Sequence, residues 1–265
     1  MNLPAYQTLK TETAEPNVLV VTLNRPEVRN AFNTRMATEL LDIWNRLIAG
    51  PHELRCVVLT GAGDSAFCSG ADLKERRDMT LDAWRAQHEL FERCFWSMAD
   101  IPVPVIAAVN GHAYAGGLEL TLMCDFIYAV ATARFALTEV TIGIMPGAGG
   151  TQNLPRAVGE RRAKEIILTG QPFSARQALD WGLVNRLCEP QELMPAVMET
   201  ASRIAQNAPL SVRQAKKSIS HGLQMDLKTG FRFEVEAYNQ LIGTEDRVEG
   251  IRAFNEKRKP VFRGR

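Results

Sequence analysis

The sequence predicts an α/β protein, with a β/α core over residues 1–190 and a helical region over 191–265. Two observations carry this. A short apolar run, a glycine-bearing loop and a helical pattern follow one another three times, the runs starting near residues 17, 56 and 105. After about Gly159 the apolar residues fall mostly at helical spacing. The repetition is uneven, so it is a loose recurrence and not a strict sequence repeat.

Asn17–Leu23 (NVLVVTL) is a continuous apolar run of strand length, and the following NRPEVRN carries turn residues. Thr34–Ala49 puts Met36, Leu40, Leu41, Trp44, Leu47 and Ile48 on one face, the pattern of an amphipathic helix. Cys56–Thr60 (CVVLT) is the second strand and leads into the loop GAGDSAFCSGAD. A helix is expected from about Leu81 to Ala99, with Trp84, Phe91, Phe95 and Met98 turned inward. Val105–Val109 is the third strand; the loop NGHAYAGG follows, and a helix opens near Gly116. Ser174 caps a short helix that Gly182 closes, and three further helical patterns fill 192–255.

Composition narrows the function. Hydrophobic residues make up 46% of the chain, enough for a buried core. Lys plus Arg total 31 against 30 for Asp plus Glu, and that near-balance gives no field to gather nucleic acid or an anionic membrane. The five cysteines (56, 68, 94, 124 and 188) are scattered without a CxxC pair. They point to reduced thiols in a cytoplasmic protein and away from a disulfide framework or zinc ribbon. MNLPAYQTLK lacks the basic start and apolar run of a targeting peptide. The longest uncharged stretch, Ile101–Leu118, holds two prolines and three glycines and does not suit a membrane helix.

Two glycine loops at strand exits carry the chemistry. In Phe67–Leu73 (FCSGADL), Gly70 marks a sharp turn that leaves backbone amides unpaired. In Ala115–Glu119 (AGGLE), two glycines open a helix, where free N–H groups and the dipole favour negative charge. Either loop alone fits an ordinary tight turn. Together they let two amides converge on one oxygen, an oxyanion hole. Glu119 lies about one helical turn beyond Gly116, amid Leu118, Leu120, Leu122 and Met123, and so can face the same ligand. Glu139 also sits among apolar residues, in LTEVTIG. One such acid suits a buried ion pair or a cap equally well; two beside an oxyanion hole favour acid–base work.

Other motifs carry less. Gly61–Ala66 (GAGDSA) imitates a dinucleotide loop, but its continuation opens no helix. GxxxxGK[ST] and GxSxG are both missing, which removes P-loop and serine-hydrolase readings. His52, His88, His112 and His221 show no metal-ligand spacing and read as surface or hydrogen-bonded core histidines. Pro146–Gly150 (PGAGG) can bring backbone close to a ligand or be a bare turn. The basic tail Lys257–Arg265 reads as solvated, with phosphate contact as the alternative.

Over nearly its full length the chain resembles the enoyl-CoA hydratase/isomerase (crotonase) superfamily. The resemblance rests on LNRPEVRNAFN, FCSGADLKE, PVIAAVNGHAYAGGLEL, CDFIYA, IGIMPGAGGTQNLPRAVG, LTGQPFSARQALDWGLV and EGIRAFNEKRKP, in that order. GADLKERRDM and DRVEGIRAFNEKR resemble most the branch containing methylglutaconyl-CoA hydratase, some members of which bind RNA. The resemblance implies a spiral of ββα units and a helical C-terminal part that builds trimers, often stacked into hexamers. It implies oxyanion-hole amides on Ala71 and Gly116, catalytic glutamates at Glu119 and Glu139, and CoA contacts around Ser69, Asp72, Leu73 and Lys74. It further implies a water-holding amide on Gly147, with Phe254 and Lys257 reaching a neighbouring subunit's CoA. Ala115 departs from the pattern, since many members have a third glycine there; its methyl group narrows the pocket beside the thioester.

The expectation is a hydratase that adds water to the 2,3-double bond of a 2-enoyl-CoA, with no metal or separate cofactor, CoA belonging to the substrate. A methylglutaconyl-CoA hydratase and an enoyl-CoA isomerase of the same fold are the near alternatives. From another class comes an RNA-binding protein with vestigial catalysis. Against it, the Thr34–Ala49 helix carries Arg35, Glu39, Asp42 and Arg46, no net charge, and so little means of neutralising phosphate.

Overall fold

The computed structural model describes residue 1 and residues 3–265. The chain begins with an antiparallel hairpin, β1 (Leu9–Glu15) and β2 (Val18–Leu23), followed by helix α1 (Thr34–Ala49). It then winds in repeated turns, each adding one strand to a large sheet, one short strand to a small sheet, and helix. The first turn is β3 (Cys56–Gly61) and β4 (Ala66–Cys68), with α2 (Leu73–Arg76) and α3 (Leu81–Trp96). The second is β5 (Val105–Val109), β6 (His112–Tyr114) and α4 (Gly116–Leu122). The third is β7 (Phe126–Val130) and β8 (Arg134–Ala136), with α5 (Gly150–Val158) and α6 (Glu160–Thr169). After these come β9 (Phe173–Ser174), α7 (Ala175–Asp180) and β10 (Arg186–Cys188). Four helices complete the chain: α8 (Pro190–Gln206), α9 (Pro209–Gly222), α10 (Leu227–Ile242) and α11 (Glu245–Asn255).

The large sheet runs β1-β2-β3-β5-β7-β10 and the small one β4-β6-β8-β9, parallel except at β1–β2 and β8–β9. This is the spiral of ββα units that the resemblance implied. Strands β3 and β5 are buried along their whole length, which is why they read as unbroken apolar runs. Strand β1 (LKTETAE) escaped the sequence reading because it is a polar edge strand, paired on one side only and mostly exposed. The short strands β4 and β6 lie inside segments that read as loops, and β8 carries no signal of its own. Three residues are too few to show a period.

Helix α1 has the expected bounds, and the Asn33 side chain caps it by accepting from Met36 N. Glu39 does not face solvent as expected. It is buried and accepts from Gln7 N (3.0 Å), Thr8 N (2.9 Å) and Thr8 Oγ1 (2.6 Å), tying β1 to the helix. The outer face therefore keeps Arg35 and an Asp42–Arg46 pair at 2.9 Å. Helix α3 ends at Trp96 and passes into a 3-10 turn, Ser97–Asp100; its Phe91, Phe95 and Met98 are buried as expected, but Trp84 is not. Ser174 and Gln177 form a reciprocal capping box on α7.

Beyond residue 190 four helices stand where three patterns were read. The first, α8, packs on β2, β3, β5 and β7 and buries Leu193, Ala196, Val197, Ala201 and Ala205, so it closes one face of the large sheet. Helices α9 and α10 pack chiefly on each other and bury little beyond Pro209 and Ala237. Their surface and that of α11 leave Ile219, Leu223, Leu227, Phe231, Tyr238 and Phe254 exposed. The tail folds back along α11. Arg263 N and Gly264 N donate to Asp246 (2.6 and 2.8 Å), and Arg55 donates to Phe262 O at 2.7 Å.

Candidate active site

The spiral brings the loop after β4 against the loop after β6. Gly70 adopts φ +93°, and a Cβ there would stand 2.7 Å from Ala115 Cβ and 3.1 Å from Tyr114 O, so only glycine fits. A Cβ on Gly117 would lie 2.1 Å from Cys68 O; its absence lets α4 seat directly on β4. The pairing around Ala71 skips its amide. Phe32 N donates to Gly70 O (2.7 Å) and Asp72 N donates to Phe32 O (2.9 Å). Gly116 opens α4, so its amide has no intrahelical acceptor either. Among the described residues neither amide donates to a protein acceptor. The two lie side by side: a Cβ placed on Gly116 would be 4.0 Å from Ala71 N. Two free N–H groups so placed can hold one oxyanion.

Ala115 takes φ 50°, ψ −126°, a conformation costly for a residue with a Cβ. It is held there by Ala115 N donating to Ala136 O (2.8 Å) and Glu119 N donating to Ala115 O (3.1 Å). Its methyl group lines the cleft.

Both glutamates are buried, 3% exposed at Glu119 and 7% at Glu139. Glu119 Oε1 accepts from Ala148 N and Gly150 N, each at 2.8 Å, which fixes the carboxylate and leaves Oε2 without a protein partner. Burial pushes its pKa up, and the two amides work against that by favouring the ionised form. Glu139 starts a 3-10 turn, Glu139–Ile142, and its buried Oε2 has no hydrogen-bond partner. Burial pushes its pKa up to about 7, and the negative charge of Glu119 adds to the rise. The two environments differ in degree: two amides of other residues oppose the rise at Glu119, whereas at Glu139 only its own backbone amide does and Oε2 stays bare.

Both carboxylates and both free amides face one cleft of about 430 Å³, large enough for an acyl group and part of its carrier. One wall is Phe32, Phe91 and Phe95, with Phe32 edge-on to the other two at 4.8 and 5.2 Å. Ile142, Ile144 and Met145 also line the cleft. A wider depression of about 790 Å³ along α11 and the tail lies apart from both glutamates, and its charged lining is largely paired internally. Among the described residues no cluster of His, Cys, Asp or Glu could hold a metal ion.

The family model described as enoyl-CoA hydratase/isomerase matches residues 13–265. The chain belongs to the enoyl-CoA hydratase/isomerase family. It is 43% identical over 245 residues to a short-chain-enoyl-CoA hydratase of Clostridium acetobutylicum, covering 92% of this chain and 94% of that one. It is 37% identical over 258 residues to a crotonyl-CoA hydratase of Syntrophomonas wolfei, covering 97% and 98%. Its fold superposes on a crystal structure of enoyl-CoA hydratase from Bacillus anthracis with a TM-score of 0.95 at 44% identity, covering 98% of this chain and 100% of that one.

Within this hydratase/isomerase fold, Ser69, Ala71, Leu73, Gly116, Glu119, Glu139 and Gly147 all line the cleft. Asp72 and Lys74 do not. Asp72 caps α2 through Lys74 N and Glu75 N and pairs with Arg25 at 2.9 Å. Burial alone would raise its pKa, but the bonds from Arg25 and those amides hold it below the usual carboxylate range. Its side chain is thus committed to the loop, while Lys74 projects into solvent on α2. Phe254 is 83% exposed at the end of α11, and neither it nor Lys257 lines this chain's cleft.

Sequence reasoning missed Arg76, Trp84 and His88, which line the cleft with Phe91 and Phe95. Trp84, Phe91 and Phe95 share a helical face that reads as core, and His88, at the same spacing, reads as a surface or hydrogen-bonded core histidine. The polar His88 inside that stripe was the available signal. Its Nε2 lies 3.0 Å from Glu92 Oε1, and a Cβ on Gly147 would come within 2.8 Å of its ring.

Proposed function

We propose that this protein is an enoyl-CoA hydratase, acting on 2-enoyl-CoA thioesters through the Ala71 and Gly116 amides and the Glu119–Glu139 pair. The thioester oxygen accepts from the two amides, drawing electron density from C3. One water sits between the glutamates, and ionised Glu119 takes its proton as the water oxygen attacks C3. The charge gathers on the thioester oxygen as an enolate, which collapses when C2 takes a proton: either that of neutral Glu139, which is then replaced by the one on Glu119, or the water's own proton, handed on by Glu119. Water is added, and nothing is oxidised or reduced. No separate cofactor is required, since CoA arrives with the substrate.

The observation that carries this reading is the unequal pair: two buried carboxylates facing one cleft, both raised by burial, with two amides opposing the rise at Glu119 and Glu139 reaching about 7. The names of the clostridial and Syntrophomonas hydratases support the same substrate class. Incubation with crotonyl-CoA should bleach the absorbance of the conjugated thioester and yield a product heavier by one water. A 3-enoyl-CoA converted to its 2-isomer without hydration would instead assign the isomerase. Faster turnover of 3-methylglutaconyl-CoA would assign that hydratase branch.

Assembly belongs to the same proposal. The β/α core carries the chemistry, and the apolar face of α9–α11 supports a trimer or hexamer in which Phe254 and Lys257 meet a neighbour's CoA. The reduced cysteines suit a cytoplasmic setting.

A further inference from the structure

We infer that Arg76 selects acyl groups carrying a distal carboxylate. The inference rests on the hydratase reading only for where the thioester lies. Among the described residues lining the cleft, Arg76 is the one Arg or Lys. It forms no salt bridge, because the neighbouring Glu75 carboxylate already accepts from Thr34 N (3.0 Å) and Gln87 Nε2 (2.8 Å). Arg76 Nε donates to Gln87 Oε1 at 2.7 Å, and Gln87 is itself buried and bonded to Thr34 Oγ1. The guanidinium is therefore fixed at its base, while its two terminal nitrogens have no acceptor among the described residues.

Its surroundings set it apart from an ordinary surface arginine. The guanidinium lies 4.4 Å from the Trp84 ring centroid and 5.1 Å from that of Phe91. Burial works against its charge, opposed only by Glu75. An alkyl chain laid against it would strip remaining water from the terminal nitrogens and return no acceptor. A carboxylate would accept both N–H groups in the paired geometry that arginine favours.

Position fixes which part of the ligand it meets. Trp84, His88, Phe91 and Phe95 form one stripe along α3, and Phe95 marks the thioester end, its Cζ 3.9 Å from a Cβ placed on Gly116. Arg76 lies over Trp84 and Phe91, one to three turns from Phe95, or roughly 6–16 Å along the helix. That is beyond the thioester oxygen and within reach of the end of an acyl chain. The hydrated phosphates of CoA are better served by exposed cations such as Lys74 and Arg77.

The test is calorimetric binding of saturated thioesters matched in carbon number: glutaryl-CoA against pentanoyl-CoA, and adipyl-CoA against hexanoyl-CoA. In at least one pair the wild type should bind the dicarboxylic thioester about 10- to 100-fold more tightly, the range for a hydrogen bond to a charged group. Arg76→Met should abolish that preference, and Arg76→Lys should restore part of it. A wild type that binds both members of each pair equally overturns the inference, even if the Met variant fails to fold. So does an Arg76→Met variant that weakens all four thioesters and free CoA alike, which would make the guanidinium a CoA contact. These probes have no double bond to hydrate, so a failure of the hydratase reading would appear separately, as unchanged crotonyl-CoA with the wild type.

Discussion

The two ends of the molecule are incomplete in opposite ways. At the cleft, polar groups are left over among partly exposed apolar walls: the Ala71 and Gly116 amides, Glu139 Oε2 and the terminal nitrogens of Arg76. At α9–α11 the surplus is apolar: Leu223 is 80% exposed, Leu227 73% and Phe254 83%. A buried polar group without a partner costs free energy in the resting protein, so it persists where a ligand or transition state supplies the missing bond. A contiguous apolar face is unfavourable in water until another surface covers it. The surplus at each end therefore differs in kind, polar at the cleft and apolar at α9–α11.

The largest expected effects test the polar end. Replacing Glu119 or Glu139 with Gln keeps the shape and removes the group that exchanges a proton. Each change should lower hydration of crotonyl-CoA roughly 10²- to 10⁴-fold, the usual range for a positioned acid or base. Affinity for a saturated acyl-CoA should survive in both variants, because the loops that hold it are untouched.

Stability should move the other way at Glu139. Its pKa rises from the ordinary glutamate value of 4.5 to about 7 in the fold. The native state therefore holds the extra proton between those values, and stability falls as pH climbs through that window. Glu139→Gln removes the charged form, so at pH 8 it should be more stable than wild type by an amount of order 3 kcal/mol. The gain should vanish near pH 4.5. Denaturant titrations at the two pH values measure it; equal stability at pH 8 would mean the carboxylate is better solvated than its burial indicates.

At the apolar end, Leu227→Asp or Phe231→Asp should shift the sedimenting species towards the 29.4 kDa monomer and weaken acyl-CoA binding, if a neighbour's tail completes the site. A minority of interface positions, clustered near the centre, carry more than about 1 kcal/mol each. A fully active monomeric wild type would remove the contrast between the two ends. The smallest effect concerns RNA. With Glu39 withdrawn and Asp42 paired to Arg46, α1 offers a single unpaired arginine, so association with AU-rich RNA should be weak and absent at moderate salt. Tight binding at physiological ionic strength would point to another surface.

What the sequence disclosed follows from how each feature is encoded. Strands β2, β3 and β5 and helix α1 are written in unbroken or periodic apolar residues and were legible as such. The small sheet was not, because three-residue strands carry no period and are held by contacts distant in sequence. Gly70, Gly116, Glu119 and Glu139 stood out since glycines and acids are anomalous in apolar surroundings. Arg76 was overlooked for the converse reason: in LKERRD one more cation looks solvated. Its seat between Trp84 and Phe91 depends on how α2 meets α3.

The claim on which the rest depends is that Glu119 and Glu139 act on one water. Hydration rates of Glu119→Gln, Glu139→Gln and the double variant, measured as loss of conjugated thioester absorbance, test it most directly. Residues that work as one unit are not additive, so the double change should cost little more than the worse single one. Single losses that multiply in the double variant would mean two independent roles. A Glu139→Gln protein that hydrates at the wild-type rate would make Glu139 a structural acid and contradict the account.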